Sequence, residues 1–221
     1  MKLLAIETAT EACSAALLMD DTIIDRIQIA PQQHTHLILP MIDELLSEAG
    51  ISISDLDAIA YGQGPGAFTG LRIATGVVQG LAFAHETPVI SISSMAALAQ
   101  QFSHEHSNIA VAIDARMGEV YWAEYQLNDD GIMQLIEEEK VIPPDDVNAN
   151  TKYNWYGAGT GWGTYKKELS KHFTNNLIGI NNECYPLAKD IAIIAKSKLV
   201  KGEVKKAQQA EPVYLRNKVV N

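Results

Sequence analysis

Three strands in close succession open the chain and restrict its fold more than any other feature. Lys2 to Ile6, Cys13 to Met19 and Thr22 to Ala30 are strand-forming stretches, joined by the polar turn Glu7 to Glu11 and then by Asp20-Asp21. Connections this short pair strands antiparallel, because a parallel neighbour requires a crossover of roughly a dozen residues or more. The period of the pattern then changes. A helix is predicted around Leu37 to Ala49, a strand at Ala58 to Gly62, a helix from about Thr69 to Ala84 and a strand at Pro88 to Ser91. The first half therefore reads β-β-β-α-β-α-β.

The same order starts again near Asn108. Ile109 to Ile113 and Val120 to Tyr125 flank the turn Asp114 to Gly118, and Ile132 to Val141 is predicted as a third strand. A strand at Tyr153 to Gly157, a polar helix near Tyr165 to His172 and a long helix from Leu187 to Val200 complete this half. Ser103 to Ser107, polar and His-rich between apolar blocks, is the expected boundary. It divides the chain into an N-terminal subdomain over 1–103 and a C-terminal one over 104–221, with the terminal helix packing back near the domain interface. Two such halves resemble the superfamily of actin, the sugar kinases and the heat-shock-protein ATPases. That resemblance implies an α/β, actin-like ATPase (ASKHA) fold with two βββαβα-type subdomains.

The balance of 17 Lys+Arg against 27 Asp+Glu gives a formal net charge of −10. Such a surface repels phosphate backbones except where basic groups cluster. The one positive run holds Lys196, Lys198, Lys201, Lys205 and Lys206, which reads most simply as a solvated helix face. Cys13 and Cys184 lie far apart, which gives no disulfide framework and suits a reducing compartment, so a cytoplasmic location is expected. Glu7 and Glu11 interrupt the opening residues where an export signal would be continuously apolar. No run approaches the roughly 20 apolar residues that span a bilayer, the best being broken by Arg72, Gln79 and His85.

Gly62-Gln63-Gly64-Pro65-Gly66-Ala67 fits the dinucleotide pattern G-x-G-x-x-A between a strand and a helix. The next strand, Val89 to Ser93, ends without the carboxylate that would hold a ribose, and Gly70 is followed by Leu71 and Arg72 rather than the Lys and Ser/Thr of a phosphate loop. A tight turn that lets helix and sheet approach is the simpler reading. His34 with His36, and His104 with His106, are two apart and form no metal motif. A hydrolase nucleophile elbow is missing, and Cys13 falls within a strand.

The helix after the glycine turn is apolar nearly all round. Leu71, Ala74, Val78 and Leu81 form one face, and Ile73, Val77 and Ala84 another, while Gly76, Gly80 and Ala84 would let a partner backbone approach. A helix of this kind needs cover on two sides. A second chain is expected to supply one, with Ile38, Met41, Ile42, Leu45, Ile73, Ala74, Val77, Val78 and Leu81 at the interface; the alternative is that both faces pack within this chain. Val78→Asp is then expected to break association. Three turns could hold phosphate or nucleotide: Thr8, Thr10 and Glu11 in the first, Asp114 in its counterpart, and Gly159 and Gly161 in the glycine-rich stretch Gly157 to Gly163.

Leu4-Ala5-Ile6-Glu7-Thr8-Ala9-Thr10, Gly64-Pro65-Gly66-Ala67-Phe68-Thr69-Gly70-Leu71-Arg72-Ile73, Asp114-Ala115-Arg116 and Pro212-Val213-Tyr214-Leu215-Arg216 together resemble the bacterial TsaB family, also called YeaZ. The resemblance implies a part in forming threonylcarbamoyladenosine beside the anticodon of tRNAs that read codons starting with A. It implies a non-catalytic subunit with no cofactor or metal of its own. Its partners would be the paralogue TsaD, which transfers the group, and the ATPase TsaE, with tRNA engaged through the complex and a homodimer formed when alone. ATP or ADP and a metal would belong to the partner subunits or the interface.

Relatives of TsaD carry a metal-binding H-x-x-x-H where this chain has Ser94 and Leu98, and a hydroxyl and an aliphatic chain do not replace imidazoles as transition-metal ligands. Ala12 likewise stands where the paralogue has a carboxylate. The competing expectations are a glycopeptidase-like hydrolase and a small-metabolite kinase of the same superfamily.

Overall fold

The computed structural model describes residues 1–150, 152–173 and 175–216. Contacts divide the chain into two units, the first made of Met1–Ala97 with Pro186–Tyr214 and the second of Leu98–Tyr185 with Leu215–Asn221, of which 217–221 lie outside the described residues. The division thus falls before the expected boundary at 103/104, and the long terminal helix belongs to the first unit rather than to the C-terminal subdomain.

In the first unit β1 (Lys2–Glu7), β2 (Ala12–Met19) and β3 (Thr22–Ile29) form the antiparallel meander. Helix α1 (His34–Ala49), β4 (Ala58–Gly64), helix α2 (Phe68–Phe83) and β5 (Val89–Ser93) follow. The sheet order is β3-β2-β1-β4-β5, with β1, β4 and β5 parallel. Register places Leu4 beside Leu17 and Ile59, and Ile6 beside Ala15 and Tyr61, so one sheet face is continuously apolar. Ile38 and Leu45 of α1 and Ala74 and Val78 of α2 pack on that face. Gly50 closes α1 in the left-handed region (φ 65°), its N–H donating to the carbonyls of Leu46 and Ser47.

The opposite face is covered by α6 (Ala188–Val200), which touches all five strands. Its entry is held by the Ala188 N–H donating to Ser14 Oγ at 2.9 Å. The unit is therefore three layers deep, helices on both sides of a sheet.

Between the two stretches of the first unit come α3 (Ser94–Gln100), inside which the division falls, β6 (Asn108–Arg116), β7 (Glu119–Leu127), β8 (Met133–Leu135), β9 (Lys140–Ile142), β10 (Trp155–Ala158), the short helices α4 (Gly161–Thr164) and α5 (Lys166–Ser170), and β11 (Leu177–Asn181). The strand predicted over Ile132 to Val141 is two separate short strands, both paired to β7. The polar helix predicted at Tyr165 to His172 begins earlier and is broken at Tyr165. Sheet order is β11-β10-β6-β7-β8, with β6, β10 and β11 parallel and β6 and β7 antiparallel. Position for position this repeats the first sheet, which is the duplicated arrangement of the actin-like ATPase fold.

Trp122, Trp155, Trp162 and Phe173 fill the second core, with Trp162 Nε1 donating to the Ala110 carbonyl at 2.9 Å. A Cβ on Gly157 would meet the Trp162 ring at 2.7 Å, so the glycine makes room for that indole.

Candidate functional site

The first expected phosphate turn lies at the end of β1, and a side chain of the turn itself fills it. Glu7 is fully buried; Oε1 accepts the Ala9 N–H at 2.6 Å and Oε2 accepts the Ser94 hydroxyl at 2.7 Å. The carboxylate reaches this position because β4 carries Gly62 beside it: a Cβ there would stand 2.0 Å from Oε2. Burial pushes the carboxyl up to about 7, against the opposing hydrogen bonds from Ser94, Ala9 and Thr8. Ser94 is thus a fully buried donor to Glu7, and Leu98 is equally buried.

Helix α2 seals the turn from outside. The Ala67 N–H donates to the Ala9 carbonyl at 2.7 Å, and Thr8 Oγ1 donates to the Gly70 carbonyl at 2.8 Å. Cβ atoms on Gly66 and Gly70 would fall 2.4 Å from the Ala9 oxygen and 1.9 Å from the Thr8 oxygen. Gly66 of the G-x-G-x-x-A stretch and Gly70 beyond it therefore admit backbone to backbone, whereas Gly62 admits a side chain. Of the expected phosphate ligands here, Thr8 is buried with its hydroxyl committed, Thr10 is buried with its hydroxyl unpartnered, and Glu11 is half-buried with its carbonyl accepting the Ala30 N–H. Thr8 does not present its hydroxyl to solvent, and its assignment to a phosphate is corrected.

Titration of Glu7 carries a prediction. The folded chain holds its proton to a higher pH than the unfolded one, so the stability this group contributes is complete below about 4.5 and is lost as pH rises to about 7. The loss amounts to about 3 kcal/mol. Glu7→Gln keeps an acceptor for Ala9 and removes the titration, so denaturant unfolding of the variant should gain about that much on the parent between pH 5 and pH 8. Asp190, also buried and raised to about 7, is common to both chains and cancels in the comparison. Equal pH slopes in the two chains would show that Glu7 does not titrate in this range.

In the second unit the equivalent turn is built differently. Asp114 accepts from the Arg116 N–H at 2.8 Å and pairs with the Arg116 guanidinium at 3.1 Å, while its own N–H donates to Thr160 Oγ1 at 3.1 Å. Arg116, Met117 and Gly118 all have positive φ, so the tip is left-handed through three residues. Arg216 backs it, donating to the Ala115 carbonyl at 3.0 Å and pairing with Glu119. Gly159 and Gly161 approach the Ala112 carbonyl, where Cβ atoms would lie at 2.4 and 2.9 Å. Both glycines are explained by packing against β6. Among the described residues, no three His, Cys, Asp or Glu side chains are grouped so as to hold a metal ion.

The expected interface needs a larger correction. Ile38, Met41, Ile42, Leu45, Ala74 and Val78 are buried in the first unit's own core, and Ile73, Val77 and Leu81 are half-buried against it. The sheet and α1 cover the faces that periodicity identified. Left outward on α2 are Arg72, Gly76, Gly80 and Phe83, beside Ile73 and Val77, and a Cβ on either glycine would meet nothing within 4 Å. Phe83 is 65% exposed, and Leu39 of α1 is 51% exposed. Sequence spacing located the helix, and only packing told its inner from its outer face. No described helix is long and apolar enough to cross a membrane.

Comparison with known proteins agrees over nearly the whole chain. The family model described as TsaD, tRNA N6-adenosine threonylcarbamoyltransferase, matches residues 23–221. The tRNA threonylcarbamoyladenosine biosynthesis protein TsaB of Escherichia coli (strain K12) is 42% identical over 99% of this chain and 96% of its own length. The protein of the same name from Haemophilus influenzae is 38% identical over 99% and 95%. The solved structure of YeaZ from Pseudomonas aeruginosa, 46% identical, superposes with a TM-score of 0.90 over 97% of this chain and 99% of that one.

Proposed function

The chain belongs to the TsaB family of tRNA threonylcarbamoyladenosine biosynthesis proteins, and we propose that within this pathway it acts as a non-catalytic subunit. Its first phosphate turn carries the proposal. A phosphate there would have to displace the buried Glu7 carboxyl and separate α2 from the turn that the Thr8 and Ala67 hydrogen bonds join. Protonated, the Glu7 carboxyl still fills that place, and once ionised it also repels the phosphate the turn would otherwise attract. Nucleotide and metal are accordingly assigned to the partner subunits or to an interface with them.

The same reading assigns this chain to a TsaD-type partner that transfers the threonylcarbamoyl group, with the ATPase TsaE joining the pair and tRNA bound by the assembly. The outward face of α2, with Gly76 and Gly80 flanked by Ile73, Val77 and Phe83, supports a close helix contact with that partner or, in its absence, with a second copy of the chain. The test is product formation on unmodified tRNA by TsaD, TsaE and the synthase of the activated precursor, with and without this chain. Threonylcarbamoyladenosine should form only with the chain present, while the chain alone neither hydrolyses nor phosphorylates. Equal yield without it would reject the subunit reading.

A further inference from the structure

Six of the chain's 17 Lys and Arg lie between residues 188 and 206: Lys189, Lys196, Lys198, Lys201, Lys205 and Lys206. Asp190 and Glu203 are the acidic residues of that stretch, so it carries four excess positive charges on a chain whose formal net charge is −10. Asp190 is buried, which leaves Glu203 as its exposed carboxylate.

The fold brings two of these lysines, Lys198 and Lys205, to one sheet edge. After α6 the chain turns back and lays Lys205 against β5, the edge strand of the first sheet, with Lys205 N–H donating to the Val89 carbonyl at 2.8 Å and Val89 N–H donating to the Lys205 carbonyl at 2.9 Å. Two ammonium groups converge there on one residue. Lys205 Nζ is 3.2 Å from Ser91 Oγ, and Lys198 Nζ, from the last turn of α6, is 3.4 Å from the Ser91 carbonyl. Neither forms an ion pair among the described residues, whereas Lys196 pairs with Asp21 at 2.6 Å. Two cations held side by side by fixed backbone, without a carboxylate between them, repel each other and attract a multiply charged anion.

We propose that this lysine edge, centred on Lys198 and Lys205, contacts the phosphodiester backbone of the RNA substrate. The inference rests on reading the chain as a subunit of a tRNA-modifying assembly. Contacts of this kind position a nucleic acid without reading its sequence.

The experiment measures binding of unmodified tRNA to the assembly of this chain with TsaD and TsaE as a function of salt, for the parent and for K198Q/K205Q. Removing two phosphate contacts should lower the slope of log affinity against log salt by about 1.5 and weaken binding roughly tenfold at moderate salt. The control K166Q/K167Q, on α5 of the second unit, should leave both unchanged. Melting temperatures equal to the parent's exclude a folding effect. Unchanged slope and affinity in K198Q/K205Q, while modification still requires the chain, would overturn the lysine contact and leave the subunit reading standing. Loss of TsaE binding with tRNA affinity intact would equally overturn it, marking the edge as a protein contact. Modification that proceeds without the chain would overturn both.

Discussion

Gly70→Ala is expected to destabilise the first unit by about 3 kcal/mol or more. Gly70 lies in α2 with ordinary helical backbone, so conformational freedom is not the reason. The added Cβ would fall 1.9 Å from the Thr8 carbonyl oxygen, a backbone atom with no rotamer by which to retreat. Relief requires moving the start of α2 away from the turn. That movement breaks the Thr8 Oγ1 to Gly70 hydrogen bond (2.8 Å) and the Ala67 to Ala9 hydrogen bond (2.7 Å), and it uncovers the buried Glu7. The urea midpoint should fall sharply. Gly76→Ala is the control: it is the same chemical change two turns on, into open space, and should stabilise by about 0.5–1 kcal/mol. Similar midpoints for the two variants would mean that the contact at Gly70 is looser than described.

Val78→Asp is expected to unfold the first unit rather than to separate subunits. Val78 is fully buried in the core that also holds Leu4, Leu17, Ile38 and Ile59. An uncompensated carboxylate there costs about 3–5 kcal/mol, a large share of a domain's stability. Gly80→Glu is its counterpart for association. Gly80 faces open space on α2, and glutamate is the better helix former, so the fold should hold or gain slightly. If the outward face of α2 meets a partner, that variant should keep its thermal transition and lose both self-association and binding to TsaD. A Val78→Asp protein with an unchanged melting temperature would contradict the packing of α2, and a Gly80→Glu protein that still associates would move the contact elsewhere.

These two variants mark where sequence reading stops. Apolar spacing located α1 and α2 to within a few residues, and the meander, the parallel strands and their repetition were legible from turn chemistry and period. Which apolar residues face a partner was not legible, because α2 presents inner and outer faces of similar hydropathy and only its register against β4 separates Val78 from Val77. The terminal helix was found but placed with the wrong unit, since its tie to Ser14 spans 174 residues of sequence. β11 and α3 are not legible in the sequence, because each is short and without a strong period. The second core rests on three buried indoles, Trp122, Trp155 and Trp162, a signal the sequence does carry. In the sequence Glu7 is one polar residue of a turn, with nothing to mark it as buried. Gly62, opposite it on a parallel strand, was the mark of a side chain turned inward, and it acquires that meaning only once the register is known.

The split composition of the first unit has a consequence for how the protein is made. Its sheet is synthesised early, but α6, which covers one whole face of that sheet, emerges only after all of Leu98–Tyr185 has been translated. At ordinary elongation rates that interval is on the order of ten seconds. During it the nascent meander presents an uncovered apolar face to the ribosome surface and to holdase chaperones, while the intervening unit, save for its last few residues, is free to fold. Synonymous changes that slow translation within Leu98–Tyr185 should therefore lengthen chaperone occupancy of the nascent chain without altering the finished protein.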